Sequence, residues 1–473
     1  MKTLYGSIKR VKLEAKTVSK SSPLHLKSSY EFRHLLADWS NSDEFSSDDE
    51  MGSEERTQLT GASKETTTVC KAYFNLTVCV VASALLSIPF GFDKTGWLGG
   101  IPLLACVGLL VDYTSLCLGE TCMKLDVYDY QEICEISFGK FGRYIQATTQ
   151  LSLSLSLMIS YQIISADNLM GILRTDWVKN ALISSIPLNT VLVLLLTTVV
   201  ILPLSSFATL KMLGYSSMIS IVSILILALS LVYFDITREP INTIDRFGGE
   251  VLTGLGVFAT GFVCHQIITP TLQSLPGDNV IAKKGNYHKV VHLAISTSFI
   301  FFLLVGLTGY YLCHDAEGVR NCPGNILSWN NPDVGSIAGN CYGKIAMGMF
   351  LITALVAYPL EHFSCYNTIC RLLYGEWGQP SKLLGLTIKL MLVVSTTVPA
   401  IYLDNIGPLL AWAGNLAAFP LGFIIPLSLA LKNRSVGGQT SLFQTLLRSA
   451  LLVVSIILMI LQTFQNCSSF ELL

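Results

Sequence analysis

The chain has 473 residues, 51% of them hydrophobic and 13% charged, with a formal net charge of −1. Soluble domains average about 25% charged residues, so this composition argues against a soluble protein, and the near-zero net charge argues against a nucleic-acid partner. The mean hydropathy of +0.55 points to the membrane class.

Residues 1–69 are rich in Lys, Glu, Asp and Ser and have no apolar stretch of the kind that begins a secretory signal. They read as a disordered cytosolic tail. Ser46 and Ser47 precede Asp48-Asp49-Glu50, a context that resembles acidophilic kinase sites. The stretch from Glu31 to the pair Leu35 and Leu36 resembles an acidic dileucine sorting signal, and Tyr5 to Ile8 resembles a tyrosine-based one. Such patterns recur by chance. Taken at face value they make sorting adaptors the expected partners of the tail. The expected location is then an endosomal, lysosomal or vacuolar membrane, with the plasma membrane as the alternative.

A helix needs about 20 apolar residues to cross a bilayer core. Eleven runs qualify as expected spans: 70–92, 97–120, 143–171, 184–207, 211–234, 250–276, 289–313, 338–371, 384–403, 406–431 and 447–465. Barrel strands would be shorter and alternating, so the expectation is an all-α integral membrane protein embedded in lipid over residues 70–465. With the tail inside, twelve Lys and Arg fall in inner loops, among them Lys124, Arg143, Lys284, Arg371 and Lys432, against six in outer loops. That bias favours a cytosolic N-terminus. An odd number of spans then puts a short C-terminal tail, residues 466–473, outside or in a lumen.

There are thirteen cysteines, mostly within apolar spans. Cys322 and Cys341 fall in or beside the loop after the seventh span, on the side that permits a disulfide, and are the expected pair. Cys313 and His314 match no usual metal-ligand spacing, and no metal site is expected. Asn466-Cys467-Ser468 is a sequon on the expected outer tail, which makes Asn466 the candidate glycosylation site.

A solute site at mid-membrane needs backbone groups released from a helix, and small residues and Pro mark where a span breaks. The first span reads Ala82-Ser83-Ala84-Leu85-Leu86-Ser87-Ile88-Pro89-Phe90. The sixth carries Gly254, Gly256, Ala259-Thr260-Gly261-Phe262 and Pro270. These two would begin the halves of a five-plus-five inverted repeat. Ordinary small-residue helix packing is the plain alternative for either one alone.

Several segments then carry a resemblance. Phe74-Asn75 precedes the Ala82–Phe90 run by the spacing of a Phe-Asn and Gly-Ser-Gly-Ile-like pair, and Gly96-Trp97-Leu98-Gly99 follows. Next come Tyr130-Gln131, Ser137-Phe138-Gly139, Ile163 to Leu169, and Leu202-Pro203-Leu204-Ser205 with Leu213-Gly214-Tyr215-Ser216. Phe262-Val263-Cys264-His265 and Tyr358-Pro359-Leu360-Glu361 close the series. In order and spacing, from about Lys71 to Phe464, the chain resembles the amino acid/auxin permease superfamily, and within it the sodium-coupled neutral amino acid transporter branch.

The resemblance implies secondary active transport of a small neutral amino acid by alternating access, with no chemistry on the substrate and no cofactor beyond a co-transported sodium ion or proton. It places Ala82, Ser83, Ala84 and Leu85 at the substrate carboxylate, where freed amides attract an anion. It places Thr260, Gly261 and Phe262 at the amine and side chain. Asn75 and Thr353 would take part in cation coupling, and His265, which can titrate near neutral pH, is the candidate proton carrier. The pattern departs from the family where Ala82, Ala84 and Ser87 replace glycines and where Val78 replaces a second Asn. Val78 offers no side-chain oxygen, so the coupling ion is open between sodium and a proton, with facilitation as a further alternative.

Asp112, Asp167, Glu361, His362 and Lys389 complete the ionisable residues inside expected spans, Glu361 and His362 as a gate or surface pair and Lys389 as a snorkelling cation. Two rival classes remain to compare. An amino-acid sensor would bind solute through the same fold and signal through the N-terminal tail. An enzyme is disfavoured by short loops and by the lack of any nucleophile, metal or phosphate-loop motif.

Overall fold

The computed structural model describes residues 68–173, 188–207, 212–237, 246–277, 279–313, 322–331, 335–375, 380–403, 405–435 and 441–470. The tail expectations at Tyr5, Glu31, Leu35, Leu36, Ser46 and Ser47 lie outside these residues. The described chain is helical, apart from a two-residue antiparallel pair joining Asn330–Asn331 to Gly335–Ser336.

Helix α1 (Val69–Ala84) starts where the Thr68 hydroxyl accepts the Lys71 N–H at 3.3 Å, a side-chain cap for an orphan donor. A short 3₁₀ turn, Leu85–Ser87, separates it from α2 (Ile88–Thr95). Gly96 (φ +70°) then turns the chain into α3 (Trp97–Leu125), a conformation costly for any residue with a Cβ. Helix α4 (Tyr130–Leu173) begins at Asp129, whose carboxylate accepts the Glu132 N–H at 2.9 Å, and bends at Gly139. Short helices α5 (Leu188–Leu196) and α6 (Leu202–Phe207) flank a π-turn, and α7 (Met212–Thr237) follows. Helices α8 (Val251–Phe262) and α9 (His265–Ser274) are two parts of one interrupted span. Helix α10 (Val280–Leu312) is capped by Asn279, and α11 (Cys341–Tyr374) by Asn340. Helix α12 (Lys382–Tyr402), α13 (Ile406–Ala413), α14 (Ile425–Lys432) and α15 (Leu442–Phe470) complete the bundle, with two π-turns between α13 and α14.

Eight helices among the described residues are long and apolar enough to cross a membrane. Two shorter apolar helices, Val191–Ser205 and Ser220–Phe234, fall on the fourth and fifth expected spans. The third expected span lies in α4, outside the apolar set, because its centre carries Gln146, Gln150, Ser154, Ser160, Gln162 and Ser165, all buried. Those polar side chains face protein rather than lipid, where each finds or lacks a partner at high stakes. The all-helical membrane architecture is as expected. The count of eleven and the inverted repeat stay expectations.

Both expected interruptions exist. At the first, Ala84 leaves the helical region (φ −142°, ψ 7°) and Ser87 lies at φ −102°, ψ −5°. No residue there has a positive φ, which is why Ala and Ser suffice at these positions. At the second, Val263 is extended (φ −64°, ψ 120°) and Cys264 follows at φ −135°, ψ 9°. This break falls one residue after Phe262; Thr260 and Gly261 remain helical.

Helix α8 is the axis of the packing. Every residue from Thr253 to Phe262 is buried. Lipid supplies no hydrophobic push between helices, so close backbone approach and van der Waals contact must hold the bundle. A Cβ on Gly414 would lie 1.9 Å from the Gly256 carbonyl oxygen, and one on Gly254 would lie 2.7 Å from the Gly91 oxygen. At the periphery, only 11% of the apolar stretch of α15 is buried, against 78% for Val251–Ser274, so α15 is a lipid-facing flank.

Two expectations fail at the rim. Cys322 is bonded to Cys313, at the end of α10, with Cα atoms 4.9 Å apart. Cys341 is free and exposed. It is the first residue of α11. The glycosylation expectation also fails: Asn466 sits inside α15, 5% exposed, with its Oδ1 accepting from the Thr253 hydroxyl at 3.4 Å. A buried helical asparagine offers no room for a glycan. The last helix accordingly continues to Phe470, where an outer tail from 466 was expected.

Candidate functional site: a pocket at the first helix break

A cavity of about 290 Å³, counting its open mouth, lies beside the first interruption. Ala82, Ala84, Leu85, Leu86 and Ser87 form one wall; Tyr161 and Ile164 of α4 and Phe350, Thr353 and Ala354 of α11 form the others. Among the described residues, no charged side chain lines it. Its polar groups are the Ser87 and Thr353 hydroxyls, the Tyr161 phenol and the backbone at the break. Ser87 precedes α2 without giving it a side-chain cap; its hydroxyl donates instead to the Gly324 carbonyl. At the start of α2 the Ile88 N–H is already bonded to Leu85 O and Pro89 has none to offer, so the 3₁₀ turn itself closes the helix end.

The cavity unites some expected residues and leaves out others. Ala82, Ala84 and Leu85 line it, and so does Thr353. The backbone of Ser83 belongs to α1, and its side chain lies outside what the structure describes. Thr260, Gly261 and Phe262 do not line the cavity. The Thr260 hydroxyl donates to Gly256 O at 3.0 Å and Leu410 O at 2.8 Å. Phe262 packs edge-on against Phe302, with centroids 4.9 Å apart, and Gly261 lies between Ile88 and Phe302. Tyr161, Ile164, Phe350 and Ala354 were missed, because tertiary packing of α4 and α11 brings them in; the nearest sequence signal was the Ile163–Leu169 segment beside Tyr161.

The cation-coupling candidates go to different places. The Thr353 hydroxyl is 3.0 Å from Ser223 Oγ on α7. His265 is fully buried against α3, with Nε2 3.1 Å from Thr114 Oγ1 and 3.5 Å from Ser115 Oγ. Asn75 is half-buried on α1 and does not line the cavity. Glu361 and His362 do not form a surface pair. Glu361 Oε1 accepts from Gln266 Nε2 at 3.1 Å, toward α9, whereas His362 Nε2 donates to Lys389 O at 3.0 Å, toward α12. Lys389 turns its Nζ over the Tyr366 ring, 5.1 Å from its centroid.

Each end of the bundle beside this site is closed differently. At the end carrying the disulfide, Gly324 is held by Asn405 Oδ1, which accepts its N–H at 3.0 Å and that of Gly407 at 2.9 Å. Asn325 Nδ2 reaches Asn168 Oδ1 and Asp167 Oδ2, each at 3.4 Å, and Ile326 and Leu327 are fully buried. At the other end of α4, Asp129 pairs with Arg371 of α11, and Arg143 pairs with Glu135 at 3.0 Å while donating to the Arg371 carbonyl.

Comparison with known proteins agrees with this architecture. Residues 65–467 match the family model for the transmembrane amino acid transporter protein. The rat protein named sodium-coupled neutral amino acid transporter 11 is 26% identical over 375 residues, covering 76% of this chain and 77% of its own. Vacuolar amino acid transporter 2 of Saccharomyces cerevisiae is 24% identical over 373 residues, covering 75% and 74%. Among solved structures, a manganese transporter of Eremococcus coleocola aligns with a TM-score of 0.52 at 12% identity, covering 89% of this chain and 97% of that one; this likeness concerns the fold alone. With a family match running from before α1 into α15, two interrupted helices and a small uncharged pocket at the first of them, this chain belongs to the transmembrane amino acid transporter family.

Proposed function

We propose that the protein is a secondary active carrier of small neutral amino acids, working by alternating access in an endosomal, lysosomal or vacuolar membrane. The observation that carries this reading is the pocket at Ala82–Ser87. The interruption between α1 and α2 is the kind of place where a bound carboxylate would meet backbone groups. Its small and apolar walls, Ala82, Ala84, Ile164 and Ala354, suit a short side chain without charge. The names of the rat and yeast relatives support the solute class and the compartment. No cofactor enters the cycle beyond a co-transported cation.

The test is uptake of a pool of labelled amino acids by purified protein in liposomes, under imposed sodium or proton gradients. Concentrative uptake of a neutral amino acid is the expected result; binding without movement under either gradient would remove the carrier reading. In cells, a Leu35→Ala/Leu36→Ala form is expected to move to the surface, which would make the same assay possible there.

A further inference from the structure

The most polar region of the membrane interior lies away from the pocket lining, where α4, α9 and α11 meet. Gln146 Nε2 donates to Gln150 Oε1 at 3.4 Å; Gln150 Nε2 donates to Gln266 Oε1 at 2.9 Å and to Ser364 Oγ at 3.2 Å; Gln266 Nε2 donates to Glu361 Oε1 at 3.1 Å. This chain of amides ends on a carboxyl group. The second oxygen of that group, Oε2, is sealed from solvent and makes no hydrogen bond of good geometry; the Ser154 hydroxyl of α4, sealed and likewise without a well-formed bond, is the group that approaches the carboxyl from that helix.

No cationic side chain faces this carboxyl among the described residues. The titratable groups that do face it are neutral ones: Cys79 of α1, Tyr161 of α4 and Cys365 of α11. The basic residues nearby in sequence are engaged elsewhere, His265 of α9 with Thr114 and Ser115, His362 with Lys389 O, and Lys389 of α12 with Tyr366. An ionised carboxylate enclosed in this way lacks a compensating charge and is costly to keep. A bound proton removes the charge and supplies the donor that Ser154 Oγ can accept.

The group is also connected to the solute pocket. Tyr161 lines that pocket and faces Glu361, and Cys79 stands one helical turn before Ala82 on α1. A rearrangement of the first break around a solute therefore changes the walls around the carboxyl. We propose that Glu361 is the proton-binding residue of the transport cycle: it takes up one proton when its surroundings open to one compartment and releases it when they open to the other, coupling solute movement to a proton gradient. This assignment rests on the carrier reading above and names its driving ion.

The experiment uses purified full-length protein in sodium-free liposomes, a pool of labelled neutral amino acids, pH gradients imposed in either direction and a pH-sensitive dye trapped inside. For wild type, one sign of gradient is expected to drive accumulation, up to about tenfold per pH unit for one proton per solute, and adding solute is expected to move protons across the membrane. Glu361→Gln is expected to lose gradient-driven accumulation, with whatever exchange remains showing no pH dependence. Glu361→Asp is expected to keep coupling with a displaced pH profile.

Wild-type transport that moves solute without protons, or that only sodium drives, would overturn the assignment while leaving the carrier reading in place. So would a Glu361→Gln protein that accumulates solute with the wild-type pH profile. If Glu361→Gln does not fold, the dye measurement on wild type and the Asp profile decide, a profile identical to wild type counting against the assignment. Absence of any solute movement by wild type, in exchange or under either ion gradient, would overturn both readings together.

Discussion

At the residue scale, the pocket is defined by what it lacks. Ala82, Ala84 and Ala354 leave the space, and larger side chains at the same positions would fill it. Ala354→Leu is expected to raise the half-saturation concentration for uptake by about tenfold, since overpacking costs about 1–3 kcal/mol and about 1.4 kcal/mol is a factor of ten. The change should appear in concentration dependence measured on liposomes and should be smallest for the smallest solutes. Half of this site was legible from the chain alone. Ala82, Ala84 and Leu85, which the resemblance placed at the substrate, do line the cavity. Phe350 and Ala354 carry no local sign, because a wall residue on a neighbouring helix looks like any other apolar helix position. Thr260 misled for a physical reason: a hydroxyl on a buried helix next to a break has an alternative to solute, and here it bonds Gly256 O and Leu410 O. Glu361 was visible as an intramembrane acid. Its amide partners were not, since Gln150 and Gln266 stand 211 and 95 positions away from it and only the fold joins them.

At the element scale, interruption rather than length distinguishes α1–α2 and α8–α9 from the other spans. The position of each break was readable to within a few residues from Pro and small side chains. The shape was less so: Ala84 departs fully from helical geometry with φ still negative. The close crossing at α8 gives the clearest element-level expectation. Gly414→Val places a Cβ against the Gly256 carbonyl, where backbone and not a flexible side chain stands in the way. A destabilisation of about 1–3 kcal/mol or more is expected, seen as a lower thermal unfolding midpoint of the purified protein in detergent, with Gly249→Ala, in open space, as the neutral comparison. Helix α4 shows why apolar counting undercounts spans. A helix enclosed by other helices can carry Gln146, Gln150 and Gln162 because it presents them to protein, and hydropathy averages cannot see which face a residue is on.

At the scale of the whole molecule, class and family were legible early, because lipid permits few architectures and hydropathy reports them directly. Covalent pairing was not. Sequence position made Cys322–Cys341 plausible, but the end of α10 brings Cys313 to Cys322 and leaves Cys341 facing out. Alkylation followed by mass spectrometry checks this: Cys341 is expected to react without prior reduction, and Cys313 and Cys322 only after it. The Cys313→Ser/Cys322→Ser form is expected to lose about 2–3 kcal/mol, the modest value for a short closed loop.

The unlike closures at the two ends of the bundle have a consequence for how the molecule responds to its medium. The Ser87–Gly324 contact and the buried Ile326 and Leu327 are shielded from dissolved ions, whereas Asp129, Arg371 and Glu135 are partly exposed. Mobile ions weaken exposed pairs over a Debye length of about 8 Å at physiological strength and leave shielded dipoles almost untouched. Rising electrolyte is thus expected to loosen the Asp129–Arg371 and Arg143–Glu135 pairs and to leave the Ser87–Gly324 contact as it is, with no change in the residues that line the pocket.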